Sequence, residues 1–271
     1  MKFNFLNKRG ELTTQQIVIL IVLITSFAVI LFFLWRLNPG ELSQKEVCHN
    51  SVVTASKASL FSGALDCSTE YVCISAGGEC DGFTHTRKVE ISFTNNPAKN
   101  KQILMDAIAN EMVDCWWMYG EGKLDYLNKG ALSKKHCALC SVIAFDKKAG
   151  SVLPITYGVF YNYLQNKNYP GHGNYLNYLY GTSNSGKIIN SFGKLFGQTG
   201  TFVNLGFEAN KQYSIMTGMM KTGVLNYFLF PANIVMNKNN KNENDILPLL
   251  IFEANTKNYD AVNCDEFISK V

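Results

Sequence analysis

At 271 residues, the chain is long enough to bury a full hydrophobic core beside a further segment. Its net charge of +4 is too weak a positive field for a nucleic-acid binder. Hydrophobic residues make up 47% and charged residues 17%, a skew that comes in part from one apolar run near the N-terminus; the remainder has a globular composition.

Residues 1–16 form a short basic tail with Lys2, Lys8 and Arg9. Within it, Lys8-Arg9-Gly10-Glu11-Leu12 followed by Thr13, Thr14, Gln15 and Gln16 resembles an archaeal class III (prepilin-type) leader. The resemblance implies cleavage between Gly10 and Glu11 on the cytoplasmic side, with the hydrophobic helix kept on the mature protein. Gln15 stands where many pilins carry Glu.

Ile17 to Trp35 holds no charge, no Pro and no Gly, and Thr25 and Ser26 are its only strongly polar residues. As a helix it spans roughly 28 Å, close to the thickness of a bilayer core. We therefore expect a transmembrane helix over 17–36 that contacts the lipid bilayer, with Trp35 and Arg36 at the outer interface. The basic residues before the span, against a near-neutral flank after it, place the N-terminus in the cytoplasm. Asn38-Pro39-Gly40 breaks the helix and opens a linker over 37–47. Residues 48–271 then form one extracytoplasmic domain of the cell envelope.

All eight cysteines, Cys48, Cys67, Cys73, Cys80, Cys115, Cys137, Cys140 and Cys264, follow the apolar run. An even count confined to one side of a span predicts disulfides in an oxidising compartment. Cys48, Cys67, Cys73 and Cys80 are close enough in sequence to form two local bridges, and Cys264 straps the end of the domain to its earlier half. His136-Cys137-Ala138-Leu139-Cys140 admits two other readings, a redox pair or a zinc site of Cys115, His136, Cys137 and Cys140. A redox motif opens a helix, however, and Ser141 to Phe145 reads as a strand.

Glu70–Ser75 and 88–93 read as strands, the second alternating apolar and polar. Asn96 and Pro97 open a helix that runs to about Trp117, with the stripe Leu104, Ala107, Ile108, Met112 and Cys115. The stripe brings Cys115 against the strand that carries Cys137 and Cys140, so a bridge to one of those two is expected. Glu111 and Asp114 fall opposite the stripe and read as a solvated face. Trp116, Trp117 and Tyr119, closed by Gly120-Glu121-Gly122, form the densest aromatic cluster: a core plug, or a candidate partner surface on which one Trp is exposed.

From Tyr157 to Tyr180 the chain is rich in Tyr, which predicts two short helices about a turn at Pro170 to Gly173, with rings inward and hydroxyls toward water. Gly181 to Lys187 fits the first seven positions of a phosphate-binding loop, but the eighth is Ile188, so we expect a plain Gly/Ser loop and no nucleotide. Tyr213–Met219 and 225–230 read as a hairpin across Lys221, Thr222 and Gly223; 237–245 is a polar loop; Leu247–Glu253 is a last strand, and Cys264 to Phe267 is a short helix or coil. The elements interleave without a regular beat. They give an α+β fold with a mostly antiparallel sheet.

His49, His85, His136 and His172 have no metal partner at helical spacing, and no nucleophile-elbow motif occurs, so neither cofactor nor enzyme activity is expected. The leader, Cys48-His49-Asn50-Ser51, the segment Asp114 to Gly122 and the segment His136 to Cys140 together resemble a family of uncharacterised single-pass membrane proteins from small-genome archaea. That resemblance implies no activity and no catalytic residues. We expect a membrane-anchored envelope protein with a non-enzymatic binding or assembly role. The alternatives are a pilin-like subunit cleaved after Gly10, and an envelope thiol oxidoreductase or zinc protein that uses Cys137 and Cys140.

Overall fold

The computed structural model describes residues 14–36, 43–57, 65–127, 134–221 and 244–270. The basic tail with Gly10 and Glu11, the Asn38-Pro39-Gly40 break, the expected strand over 225–230 and most of the polar loop over 237–245 lie outside them. The chain divides into two compact units, Met1–Ser43 and Gln44–Val271.

The first unit contains α1 (Thr14–Arg36). Among the described residues it is the one helix long and apolar enough to cross a membrane, with mean hydropathy 2.5 over Gln15–Phe32. Side chains from Gln15 to Phe32 are all exposed. Its two hydroxyls are satisfied within the helix: Thr25 donates to the carbonyl of Ile21 at 2.9 Å and Ser26 to that of Leu23 at 2.9 Å. An apolar solvent would therefore meet no unpaired polar group at either residue.

The second unit begins with α2 (Gln44–Lys57), β1 (Glu70–Ser75), β2 (Arg87–Glu90) and α3 (Pro97–Met118). It continues through β3 (Lys135–Phe145), α4 (Lys147–Gly150), β4 (Ile155–Thr156), α5 (Tyr157–Asn166), β5 (Asn168–Tyr169) and β6 (Gly173–Asn174). Then come α6 (Tyr175–Tyr180), α7 (Ser185–Leu195), β7 (Gly206–Phe207), β8 (Tyr213–Lys221), β9 (Asn244–Glu253), α8 (Thr256–Val262) and β10 (Glu266–Phe267). Helix α2 starts inside the stretch expected to be linker, and β10 occupies the stretch expected to be helix or coil.

The main sheet runs β2-β1-β3-β8-β9, with β10 beside β3. It is mixed. β1 is parallel to β2 and β3, and β10 is parallel to β3, whereas β8 is antiparallel to β3 and β9. The expectation of a mostly antiparallel sheet is corrected here, because alternation over 88–93 signals one wet face but carries no strand direction. β2 is the half-buried edge, and all eleven residues of β3 are buried.

Helix α3 is capped by Asn96, whose side chain accepts from the amides of Ala98 and Lys99. Leu104, Ile108, Met112 and Cys115 are wholly buried, and each large apolar side chain removed from water contributes about 1.5–3 kcal/mol. Glu111 departs from the expected solvated face. It is only 5% exposed and takes Arg87 at 2.6 Å, with Lys45 at 3.9 Å. Partners on β2 and α2 cover that side of α3, so the carboxylate is buried with its counter-charges.

Four disulfides close the unit: Cys48–Cys67, Cys73–Cys80, Cys115–Cys140 and Cys137–Cys264. Cys140, the extra residue where the β3–β8 register shifts between Leu139 and Ser141, reaches α3, while Cys137 reaches the segment after α8. Asp146 fastens the ends of β1 and β3. It accepts from the Ser75 hydroxyl at 3.0 Å and from the amides of Ala76, Gly78 and Ala149 at 3.1, 2.7 and 2.6 Å. A Cβ at Gly78 would stand 2.8 Å from this carboxylate, so the close approach requires glycine.

Burial pushes the Asp146 carboxyl up, but its hydrogen bonds outweigh that and hold it below its ordinary value of 3.8. Its contribution is therefore full above that value and is lost as pH falls through the depressed one. Asp146→Ala should cost about 3 kcal/mol at neutral pH, measured by thermal unfolding, and the gap to the parent should close in acid. A non-reducing peptide map should join Cys115 to Cys140 and Cys137 to Cys264, with no Cys137–Cys140 species. The Cys137→Ala/Cys264→Ala pair should lose about 3–5 kcal/mol of stability.

A candidate ring and carboxylate surface at the end of helix α3

Past Met118 the chain turns through Gly120, Glu121 and Gly122, all at positive φ of 76°, 55° and 70°. Gly122 has no room for a side chain, since a Cβ would meet the Trp116 ring at 2.9 Å. Glu121 is the one member of the turn with a Cβ, and holding it in the left-handed region costs about 1–2 kcal/mol. Its carboxylate is tied on both oxygens: the Tyr178 hydroxyl donates to Oε1 at 2.8 Å, and the Lys123 ammonium sits on Oε2. Burial raises this carboxyl, but the bonds from Lys123 and Tyr178 outweigh it and hold Glu121 below its ordinary value.

Over this turn lies the β5–β6 hairpin. Tyr169, His172 and Tyr178 form a triangle of rings, with centroids 5.3 Å apart for Tyr169–His172, 4.7 Å for His172–Tyr178 and 4.8 Å for Tyr169–Tyr178. His172 is exposed and the two tyrosines are half-buried. Burial first, then the charges of Asp114 and Glu121, push the Tyr169 hydroxyl up, so both carboxylates act on the cluster. Asp114 is itself paired with Lys45 of α2. Also from α2, the His49 ring stacks on Trp117 at 4.0 Å, and its Nδ1 lies 2.8 Å from the Trp117 carbonyl.

Of the expected partner surface, only Trp117 reaches outward. Trp116 is 4% and Tyr119 is 3% exposed. Neighbouring side chains on a helix diverge by about 100°, so Trp116 follows the buried stripe and fills the space left by Gly122. Tyr119 packs on Tyr126, also buried. The members that sequence reasoning did not join to Trp117 are Tyr169, His172 and Tyr178, more than 50 positions away. The positive φ of Glu121 had a visible signal in the Gly-Glu-Gly turn.

Of the zinc alternative, Cys115, Cys137 and Cys140 are each paired in a disulfide, and a bonded sulfur offers no thiolate. His136 is buried with neither ring nitrogen hydrogen-bonded, and Nδ1 lies 3.5 Å from Glu266. Among the described residues no group of three or more His, Cys, Asp or Glu is arranged to hold a metal. Gly181 to Lys187 follows helix α6, and its last three residues open α7, capped by Asn184. That run is therefore a helix start rather than a strand-borne phosphate loop. The expected outward hydroxyls are corrected for Tyr161 and Tyr180, which are enclosed against Phe192.

No family model, curated protein or solved structure matches the chain.

The burial difference between the two adjacent indoles is directly measurable. Acrylamide should quench Trp117 more strongly than Trp116. Trp117→Phe should remove most of the quenchable emission of the second unit, and Trp116→Phe should leave it, read by steady-state fluorescence in chains that also carry Trp35→Phe.

Proposed function

We propose that the chain is a membrane-anchored cell-envelope protein whose disulfide-closed domain lies outside the cytoplasm and binds an envelope partner, without catalysis. Anchoring is supported by the length and apolarity of α1 together with the confinement of all eight cysteines to the residues after it. Binding is carried by one observation: Glu121, a non-glycine residue in the left-handed region, is held against a triangle of rings made of exposed His172 and half-buried Tyr169 and Tyr178. Backbone strain concentrates where a fixed geometry serves recognition. Aromatic rings edged by compensated charges are the usual anchors of an interface.

The role of the surface is partner capture rather than acid–base chemistry. Glu121 and Asp114 are each neutralised by a lysine. In intact cells, an epitope at the C-terminal end should be digested by added protease; full protection would overturn the orientation. A photo-crosslinker at His172 should give one discrete adduct that is lost in Tyr169→Ala/Tyr178→Ala, and an adduct unchanged by that pair would remove the surface from consideration. A homotypic adduct together with a mature chain starting at Glu11, read by N-terminal mass spectrometry, would identify the partner as further copies in a pilin-like assembly.

A further inference from the structure

A second site lies elsewhere in the same unit. A cavity of about 230 Å³ is lined by Tyr157, Phe196, Phe202 and Phe252, by Glu208, Lys211, Glu253 and Lys257, and by the amides Gln198, Asn255 and Asn258. Its wall is built rather than incidental. The Tyr213 hydroxyl accepts from the Glu208 amide at 2.7 Å and donates to the Gly206 carbonyl at 2.9 Å. A Cβ at Gly206 would stand 2.0 Å from the Ile155 carbonyl oxygen, so the β4–β7 pair can close only with glycine there. Tyr157 stacks on Phe202 at 4.6 Å and is 4% exposed. Its hydroxyl makes no hydrogen bond among the described residues and is not among the fully enclosed polar atoms, so it opens on the cavity.

The charges define the ligand by what they exclude. Lys211 binds Glu208 at 3.0 Å and Glu253 at 3.1 Å, and Lys257 at the rim brings the four charges to zero. A ligand of one sign gains nothing overall from such a lining. Carboxylates already bridged by an ammonium keep spare lone pairs, while the phenol and the amides supply donors. A group that both donates and accepts fits this mixture, and a hydroxyl is that group. The volume lies below the roughly 300–1,000 Å³ of drug-sized sites.

We infer that this cavity binds a single neutral sugar unit, with the Tyr157 hydroxyl and the Glu208–Lys211–Glu253 bridge holding its hydroxyls over an aromatic floor. The site shares no residue with the ring and carboxylate surface and does not depend on that surface having a partner.

The test uses the full chain in lipid nanodiscs, with no glycosidic detergent present. The probes are glucose, galactose, mannose and N-acetylglucosamine, with glycine and glutamate as charged small molecules of similar size. Saturation-transfer NMR and calorimetry should find saturable binding of at least one sugar and of neither amino acid. Tyr157→Phe, which keeps the ring stack, should weaken that sugar about tenfold, and Asp81→Ala, at an exposed residue outside the lining, should leave it unchanged. Lys257→Ala separates a neutral from an anionic ligand and should shift sugar affinity less than threefold. Binding of the amino acids alone, absence of all binding, or sugar binding indifferent to Tyr157→Phe would each overturn the assignment.

Discussion

Strand β3 is held by two covalent bonds, and the rest of the second unit is arranged around that fact. It is tied to α3 through Cys140 and Cys115, and to the segment after α8 through Cys137 and Cys264. Along its edges it carries β1, β8 and β10. A strand so placed has no wet face, which accounts for eleven buried residues in a row. The buried Lys135 at its start is accommodated by the Val262 carbonyl, 2.7 Å from its ammonium.

Much of this was legible in the sequence because it rests on local signals. The Asn96–Pro97 start of α3, its apolar stripe, and the strands at Glu70–Ser75 and 213–219 follow from capping and periodicity. The pairing of Cys115 with β3 followed from the stripe itself, whereas spacing grouped Cys48, Cys67, Cys73 and Cys80 without saying which of them pair. Strand direction was not legible. β1 and β2 run parallel although only eleven residues separate Ser75 from Arg87, a crossover without a helix. Side-chain alternation is identical in parallel and antiparallel edges, so nothing local distinguishes them.

The surface at the end of α3 was half-legible for a similar reason. The cluster from Trp116 to Gly122 announces itself by composition, yet composition does not say which ring turns inward. The answer depends on Gly122 yielding its space to Trp116. Tyr169, His172 and Tyr178 come to Glu121 only through the β5–β6 hairpin and α6, a tertiary contact with no periodic signature. The cavity was less visible still, because Glu208, Lys211 and Glu253 read singly as surface charges. They meet only because β8 and β9 pair, with Tyr213 opposite Glu253.

The double attachment of β3 also sets an order in time. As the chain is made, Cys115, Cys137 and Cys140 are available together, while Cys264 follows 127 residues after its partner. Until Cys264 is present, a bond from Cys137 to Cys140 or Cys115 would compete with the native pair. An oxidant that acted before the C-terminal segment was made would favour those shorter loops.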